Sequence, residues 1–182
     1  MKRIISITLL LSCLVARAET QSHGFTFADT LRVEDTVLVL NGTGLLKYYF
    51  FKVYVAGLYL GEGVKPEQFF DDVPKRLELA YLRDFTRKMM IDAGDDALAE
   101  NVAPDVLARI RPQIDKINAL YEDVKEGDRY ALTYVPGVGT ELALNGVRKG
   151  IVEGEEFARE YFKIWLGRSK VTRDLKAALL KQ

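Results

Sequence analysis

The sequence predicts a single α+β domain in which helices pack on one face of a large antiparallel sheet. The N-terminal half is rich in aromatic and β-branched residues, which favour strands. The pattern changes to a helical period near residue 86, and three short strand-like segments separated by tight turns follow residue 128. Strands and helices grouped in this way are typical of α+β folds rather than of repeated βαβ units.

The predicted elements follow the order strands, helices, strands, helices. Strands are predicted at residues 25–32, 35–40, 40–60, 76–82, 129–135, 141–144 and 147–152. Helices are predicted at residues 66–70, 86–99, from 104 onward, from 155 to about 167, and 171–180. The first two strands are expected to form a hairpin that turns at residues 33–35.

The segment from Leu40 to Leu60 is the most informative part of the chain. Gly42 and Gly44 precede a run of Tyr, Phe and Val, which predicts a tight glycine turn leading into a central strand. From Tyr48 to Leu60 the only charged residue is Lys52, so we expect both faces of this strand to contact protein.

The middle of the chain predicts three helices, at residues 66–70, at residues 86–99 and from residue 104 onward. Pro66 suits the first turn of a short helix before the strand at 76–82, and Pro104 suits the first turn of a long one. Pro112 lies inside that long helix and is expected to kink or interrupt it. Its apolar residues form one stripe that is expected to face the sheet: Val106, Ile110, Ile114, Ile117 and Tyr121.

Turn residues define the C-terminal elements. Residues 136–139 contain proline and two glycines, and Asn145-Gly146 favours a second tight turn, so three consecutive antiparallel strands are predicted. The next helix begins after Gly154 with two glutamates suited to the positive end of its dipole, and it ends near Gly167.

The first 18 residues predict a cleavable secretory signal peptide, which leaves a domain at residues 19–182. A basic start is followed by an apolar run too short to span a bilayer and by the small-x-small pattern at residues 16–18. We therefore expect export to the periplasm and no transmembrane segment in the mature chain. An alternative is a lipoprotein anchored at Cys13, within a lipobox-like Leu-Leu-Ser-Cys.

Charge and composition exclude several classes of function. Removal of the three basic residues of the signal from 26 leaves 23 basic against 26 acidic residues, so nucleic acid is not an expected partner. The only cysteine is Cys13, so the mature chain has no thiol. Neither a metal nor a cofactor is expected, because His23 is the only histidine and the acidic residues of 92–100 resemble a solvated helix face.

Four segments resemble the chalcone isomerase-like family, specifically its secreted bacterial branch. They are Asn41–Gly44, Phe51–Leu60, Tyr134–Thr140 and Glu156–Gly167, in the family's order and with compatible spacing. The resemblance covers nearly all of the mature chain. It implies an open-faced β-sandwich in which a large antiparallel sheet and a helical layer on one face enclose a cleft for a mostly apolar ligand.

The resemblance does not carry the catalytic residues of plant chalcone isomerases with it. The position of the family's catalytic arginine, just after the Gly-x-Gly turn, is Leu46 here, and Lys47 is one residue along on the opposite face of a regular strand. Tyr54 aligns with a threonine of the family's hydrogen-bond network. The family's active tyrosine and asparagine have no match in the helix after the middle strand.

Two functions follow from this comparison. The first is a non-catalytic periplasmic protein that binds a small hydrophobic ligand such as a fatty acid, an aromatic metabolite or a haem-like compound. Its candidate ligand-binding residues are Phe50, Lys52, Tyr54 and Lys47, and alternation places the first three on one wall of the cleft. The alternative is an isomerase or intramolecular lyase acting on an unsaturated carbonyl compound through a rewired site with Lys52, Tyr54 or Arg87. A third possibility is an envelope protein whose cleft is filled by side chains.

Overall fold

A computed structural model describes residues 18–181, and the predicted signal peptide, with Cys13, lies outside the described residues apart from Ala18. Seven antiparallel strands form one sheet in the order β3-β4-β5-β6-β7-β8-β9, and β1 and β2 form a separate hairpin. The α+β class with a large antiparallel sheet is confirmed. The strands are β1 Glu19–Ser22, β2 Phe25–Ala28, β3 Thr30–Val33, β4 Thr36–Tyr48, β5 Phe51–Gly61, β6 Lys75–Tyr81, β7 Arg129–Val135, β8 Gly139–Leu144 and β9 Val147–Val152.

Helices cover one face of the seven-stranded sheet. They are α1 Arg87–Asn101, α2 Pro104–Asn118, α3 Glu155–Tyr161, α4 Lys163–Leu166 and α5 Arg173–Leu180, with a short 3₁₀ helix at Pro66–Gln68. Their apolar sides and the inner face of the sheet form one continuous core. The predicted stripe of α2 is part of it, since Ile110, Ile114 and Ile117 are buried. None of the helices in residues 18–181 is both long and apolar enough to span a bilayer.

The predicted central strand is two strands. β4 ends at Tyr48, β5 begins at Phe51, and the chain turns at Tyr49 and Phe50 although neither residue is a usual turn former. Tyr49 has a φ of 53°. The expectation that both faces contact protein is correct for β5, where all residues from Tyr54 to Gly61 are buried.

Gly42 and Gly44 do not form a turn, which corrects the sequence interpretation. Both lie within β4, where α5 crosses the strand at very short range. A Cβ atom on Gly42 would lie 2.5 Å from the carbonyl oxygen of Ala178. The Asn41 side-chain amide also donates to the Leu179 carbonyl at 2.6 Å. These glycines therefore allow the C-terminal helix to dock on the sheet.

The first hairpin covers the other face of the sheet. The predicted strand at 25–32 is divided near Asp29, so that β2 pairs with β1 while β3 pairs with β4. Phe27 is fully buried against Val55 and Ala80. Its ring occupies the place where a side chain on Gly57 would lie, since a Cβ there would be 2.6 Å from Phe27.

A charged network lies under this hairpin. Glu78 is buried on β6 and accepts hydrogen bonds from Arg76 at 2.9 and 3.0 Å and from Arg129 at 2.8 Å. Arg129 also donates to the Thr26 carbonyl and stacks on Phe27. A buried carboxylate is tolerated when it is paired in this way, so the network ties the hairpin to the sheet.

Two helix predictions need correction. Pro112 does not interrupt α2, which is helical through Asn118. The helix predicted from 155 to about 167 is divided in two at Phe162, and α3 and α4 follow each other with a break in helical hydrogen bonding.

Candidate functional site

A cavity of about 640 Å³ lies between the inner face of the sheet and the helical layer. Strands β4, β5 and β6 form one wall, and α1 with the end of α3 and α4 forms the other. The β6–α1 loop and the α4–α5 loop border its mouth. The volume falls within the range of roughly 300–1,000 Å³ typical of small-molecule sites.

Most of the cavity wall is apolar. Leu46 and Leu79 point inward from the sheet, and Ile164 and Trp165 point inward from α4. All four are buried and belong to the main core. The space is thus an extension of the core that the chain's own side chains leave unfilled, which is the kind of site that takes an apolar ligand.

Gly94 explains part of this space. It lies within α1 and lines the cavity, and a Cβ there would contact only Ile164 Cδ1, at 3.6 Å. Because glycine is unfavourable inside a helix, a residue without a side chain here costs stability and leaves the cavity open.

Tyrosines supply polar groups inside the cavity. The Tyr54 and Tyr81 rings meet edge to face, with centroids 5.7 Å apart. The Tyr81 hydroxyl donates to Met90 Sδ at 3.3 Å, and the Tyr161 hydroxyl lies 3.1 Å from that of Tyr121. Burial raises the pKa of Tyr54, Tyr81 and Tyr161, so all three are neutral near pH 7 and act as hydrogen-bonding groups rather than as anions.

Thr172 provides a further polar atom at the cavity. It is buried, it lines the cavity, and its Oγ1 has no hydrogen-bond partner within residues 18–181. A buried hydroxyl without a partner costs free energy, so Oγ1 is available to a polar group of a bound molecule.

Arg83 is the cationic residue at the cavity. It is an exposed residue of the β6–α1 loop, and its guanidinium lies 4.6 Å from the centroid of the Phe51 ring. Among the described residues that line the cavity, it is the only arginine or lysine. Three acidic residues also line the cavity, namely Asp84, Asp96 and Glu100, and Asp84 accepts a hydrogen bond from the Glu126 amide.

The structure separates the residues that the sequence proposed for the site. Tyr54 lines the cavity, whereas Phe50 is 98% exposed in the β4–β5 turn. Lys47 and Lys52 are cross-strand partners, both exposed and neither in the cavity wall. Arg87 lies outside the wall too, and its side chain donates to the Asn118 carbonyl at 2.9 and 3.1 Å.

The expected alternation of Phe50, Lys52 and Tyr54 does not hold at the start of β5. Phe51 and Val53 line the cavity together with Tyr54. The cause is a register shift between Leu46 and Lys47, which changes the side-chain direction next to the turn. Leu46, at the position of the family's arginine, remains in the cavity wall.

Sequence reasoning did not name Arg83, Trp165, Met89 or Met90 among the candidate site residues. All four line the cavity. Trp165 and Met90 are spaced as core residues would be, so their pattern carries no signal for a cavity. Arg83 lies two residues after the buried strand β6. This position just beyond a strand end was the sequence feature that could have indicated a site residue.

No group of three or more histidine, cysteine or acidic side chains in residues 18–181 is arranged to hold a metal ion.

Fold and cavity together define an α+β protein with an apolar cavity between a sheet and its helical layer. The chain belongs to the chalcone isomerase-like family, whose profile matches residues 19–181. A search among curated proteins finds no match. Among solved structures, the chain is similar to a fatty-acid binding protein of Arabidopsis thaliana, with 15% identity, a TM-score of 0.64, and coverage of 91% of this chain and 100% of the other. At this identity the likeness shows the fold.

Proposed function

We propose that this protein binds one small apolar molecule with an acidic head group, of which a fatty acid is the leading example, and does so without chemical change. The observation that carries the proposal is the cavity of about 640 Å³ with an apolar wall and one guanidinium at its mouth. The fold is shared with a protein described as a fatty-acid binding protein, which supports the same ligand class.

The apolar wall supplies the binding free energy. Each methylene moved from water into the cavity contributes about 0.8 kcal/mol, which is roughly a fourfold gain in affinity. Affinity for a series of fatty acids is therefore expected to rise about fourfold per added carbon and to level off when the cavity is full. The chain length at which it levels off measures the usable length of the site.

Arg83 and Thr172 are the proposed contacts for the head group. Arg83 offers a guanidinium that matches a carboxylate in geometry and charge. Because Arg83 is exposed, the ion pair between its guanidinium and a ligand carboxylate is screened by water. This ion pair therefore contributes at most about 1 kcal/mol to the binding free energy, or roughly fivefold in affinity. Its main effect is thus selectivity for an acid over the matching alcohol.

The test is calorimetric titration of delipidated protein with fatty acids and with fatty alcohols of the same length. Arg83→Gln is expected to weaken binding of the acid by roughly three- to fivefold and to leave binding of the alcohol unchanged. Arg87→Gln is the matched control, because Arg87 is an exposed arginine four positions away whose side chain contacts Asn118. Absence of saturable binding by fatty acids, aromatic carboxylates and haem would refute the proposal.

The second candidate is an isomerase or intramolecular lyase acting on an unsaturated carbonyl compound. Arg83 favours it, because Arg83 lines the same cavity as Tyr54 and Tyr81 and a guanidinium is a group that stabilises a developing oxyanion. An assay of chalcone cyclisation and of related enones against buffer distinguishes the two functions. A rate above buffer that falls in both Arg83→Gln and Tyr54→Phe would establish the enzyme.

We also propose that the protein acts in the periplasm, on the strength of the signal sequence at residues 1–18. Cell fractionation followed by N-terminal sequencing tests this. A mature N-terminus at Glu19 is expected, whereas an acylated Cys13 would establish the lipoprotein alternative.

A further inference from the structure

The largest exposed group of aromatic side chains lies at the mouth of the cavity. We call residues 48–51, at the end of the β4–β5 hairpin, the aromatic tip. Tyr48, Tyr49, Phe50 and Phe51 are 52%, 80%, 98% and 57% exposed. Four consecutive exposed aromatics are unusual on a soluble surface, where large apolar patches generally mark a contact site.

The aromatic tip is unfavourable for folding. Tyr49 adopts a φ of 53°, a conformation in which glycine and asparagine are preferred and which is strained for a bulky residue. Neither Tyr49 nor Phe50 gains burial in return. Asn-Gly would serve the turn better, so the reason for aromatic residues here lies outside the folded chain.

Positive charge surrounds the aromatic tip. Lys47 and Lys52 flank it on the two strands and are direct cross-strand partners, an arrangement of like charges that destabilises a hairpin. Arg83 stacks on Phe51. No carboxylate in the described part of the chain lies within ion-pair distance of Lys47 or Lys52.

The α4–α5 loop brings further positive charge close to the cavity. Val171, which lines the cavity, is half exposed beside Lys170. Arg168, Lys170 and Arg173 line a shallow groove of about 390 Å³ that shares Ser169 with the cavity. Cations of the β6–α1 loop and of the groove next to the α4–α5 loop thus lie near the mouth, together with the exposed apolar side chains of the aromatic tip and Val171, while Asp84, Asp96 and Glu100 supply acidic groups to the cavity wall itself.

We propose that the aromatic tip docks into the headgroup region of a bilayer that contains anionic lipid, with the cavity mouth facing the membrane. Tyrosine is enriched at this depth of a bilayer, and flanking lysines are attracted to an anionic surface. Tyr48 and Phe51 belong both to the aromatic tip and to the cavity wall, so an apolar molecule passes between bilayer and cavity without crossing water. A protein partner would not explain this continuity with the cavity.

The test is co-sedimentation of the delipidated full chain with vesicles of phosphatidylcholine alone and of phosphatidylcholine with phosphatidylglycerol. Binding to the anionic vesicles is expected, and it should weaken as salt rises. The double variants Tyr49→Ser/Phe50→Ser and Lys47→Glu/Lys52→Glu are each expected to lower the partition coefficient at least tenfold.

Matched controls come from the opposite end of the sheet. Val138→Ser removes an exposed apolar side chain from the β7–β8 turn, and Arg32→Glu/Lys65→Glu reverses two exposed charges. Both controls are expected to bind like the unaltered protein. Thermal melts confirm that every variant folds.

Three outcomes overturn the proposal. The first is that the protein does not bind anionic vesicles, and the second is that the control variants lose as much vesicle binding as the tip variants. The third is that the tip variants bind vesicles normally but no longer capture an envelope protein. This proposal rests on the proposed function, because it describes how a ligand reaches the cavity from a membrane. Vesicle binding is measured without ligand and ligand binding without vesicles, so the failure of one is separable from the failure of the other.

Discussion

Gly94 offers the sharpest test of whether the cavity is a ligand site. The structure leaves room for a side chain at this position, with a single contact to Ile164. Gly94→Ala is expected to stabilise the protein by about 0.5–1 kcal/mol because alanine is the better helix former. For a chain of this size that corresponds to a rise in Tm of roughly 1–4 °C. Ligand affinity should stay the same.

Gly94→Phe should fill part of the cavity while the protein remains folded. Displacement of about four methylenes of a bound chain costs about 3 kcal/mol, which is roughly a hundredfold loss of affinity for a long fatty acid. Short fatty acids that do not reach the phenyl ring should bind as before. Calorimetric titration of the alanine and phenylalanine variants side by side provides the measurement, and thermal melts establish that both fold. Unchanged affinity in the folded Gly94→Phe variant would refute the reasoning.

Three further predictions concern the fold. Gly42→Ala should lower the free energy of unfolding by about 1–3 kcal/mol in urea titrations, because its Cβ meets the backbone of α5. Phe27→Ala should lower it by about 3–5 kcal/mol without changing ligand affinity, because Phe27 packs on the face opposite the cavity. Burial lowers the pKa of Lys75 to about 8, so the unfolded chain binds more protons than the folded one between about pH 8 and 10. The Lys75 contribution to stability therefore rises with pH in that window, and Lys75→Met should abolish this part of the dependence.

Local sequence patterns were sufficient for most of the secondary structure. Alternation and turn residues located β6 to β9, and Thr86 caps α1 by accepting from the Met89 amide, as its position before the helix suggests. The turn at Tyr49 could not be predicted, because the residues there favour a strand and the reason for their presence is not local. Gly42 and Gly44 looked like a turn because the close approach of α5 is a tertiary contact across more than 130 residues.

The site was less predictable than the fold. Tyr54 was placed in the cavity wall from alternation, but the register shift after Leu46 puts Lys52 at the surface, and Lys47 lies on the face opposite Leu46 as regular alternation places it. Trp165 has the sequence pattern of a core residue, and only the unfilled space beside it makes it part of a site. The size of an empty volume depends on how the six elements around it pack, and the periodicity of a sequence does not encode that packing.

Trp165 also allows the most direct test of the central claim. It is the only tryptophan of the chain, and it is buried in the cavity wall, so its fluorescence reports on the cavity alone. Titration of delipidated protein with a long-chain fatty acid should change its emission saturably, with one molecule bound per chain, and Gly94→Phe should move the midpoint of the change to a roughly hundredfold higher ligand concentration. A flat titration with every apolar ligand tried, in protein shown to be folded and free of lipid, would contradict the account.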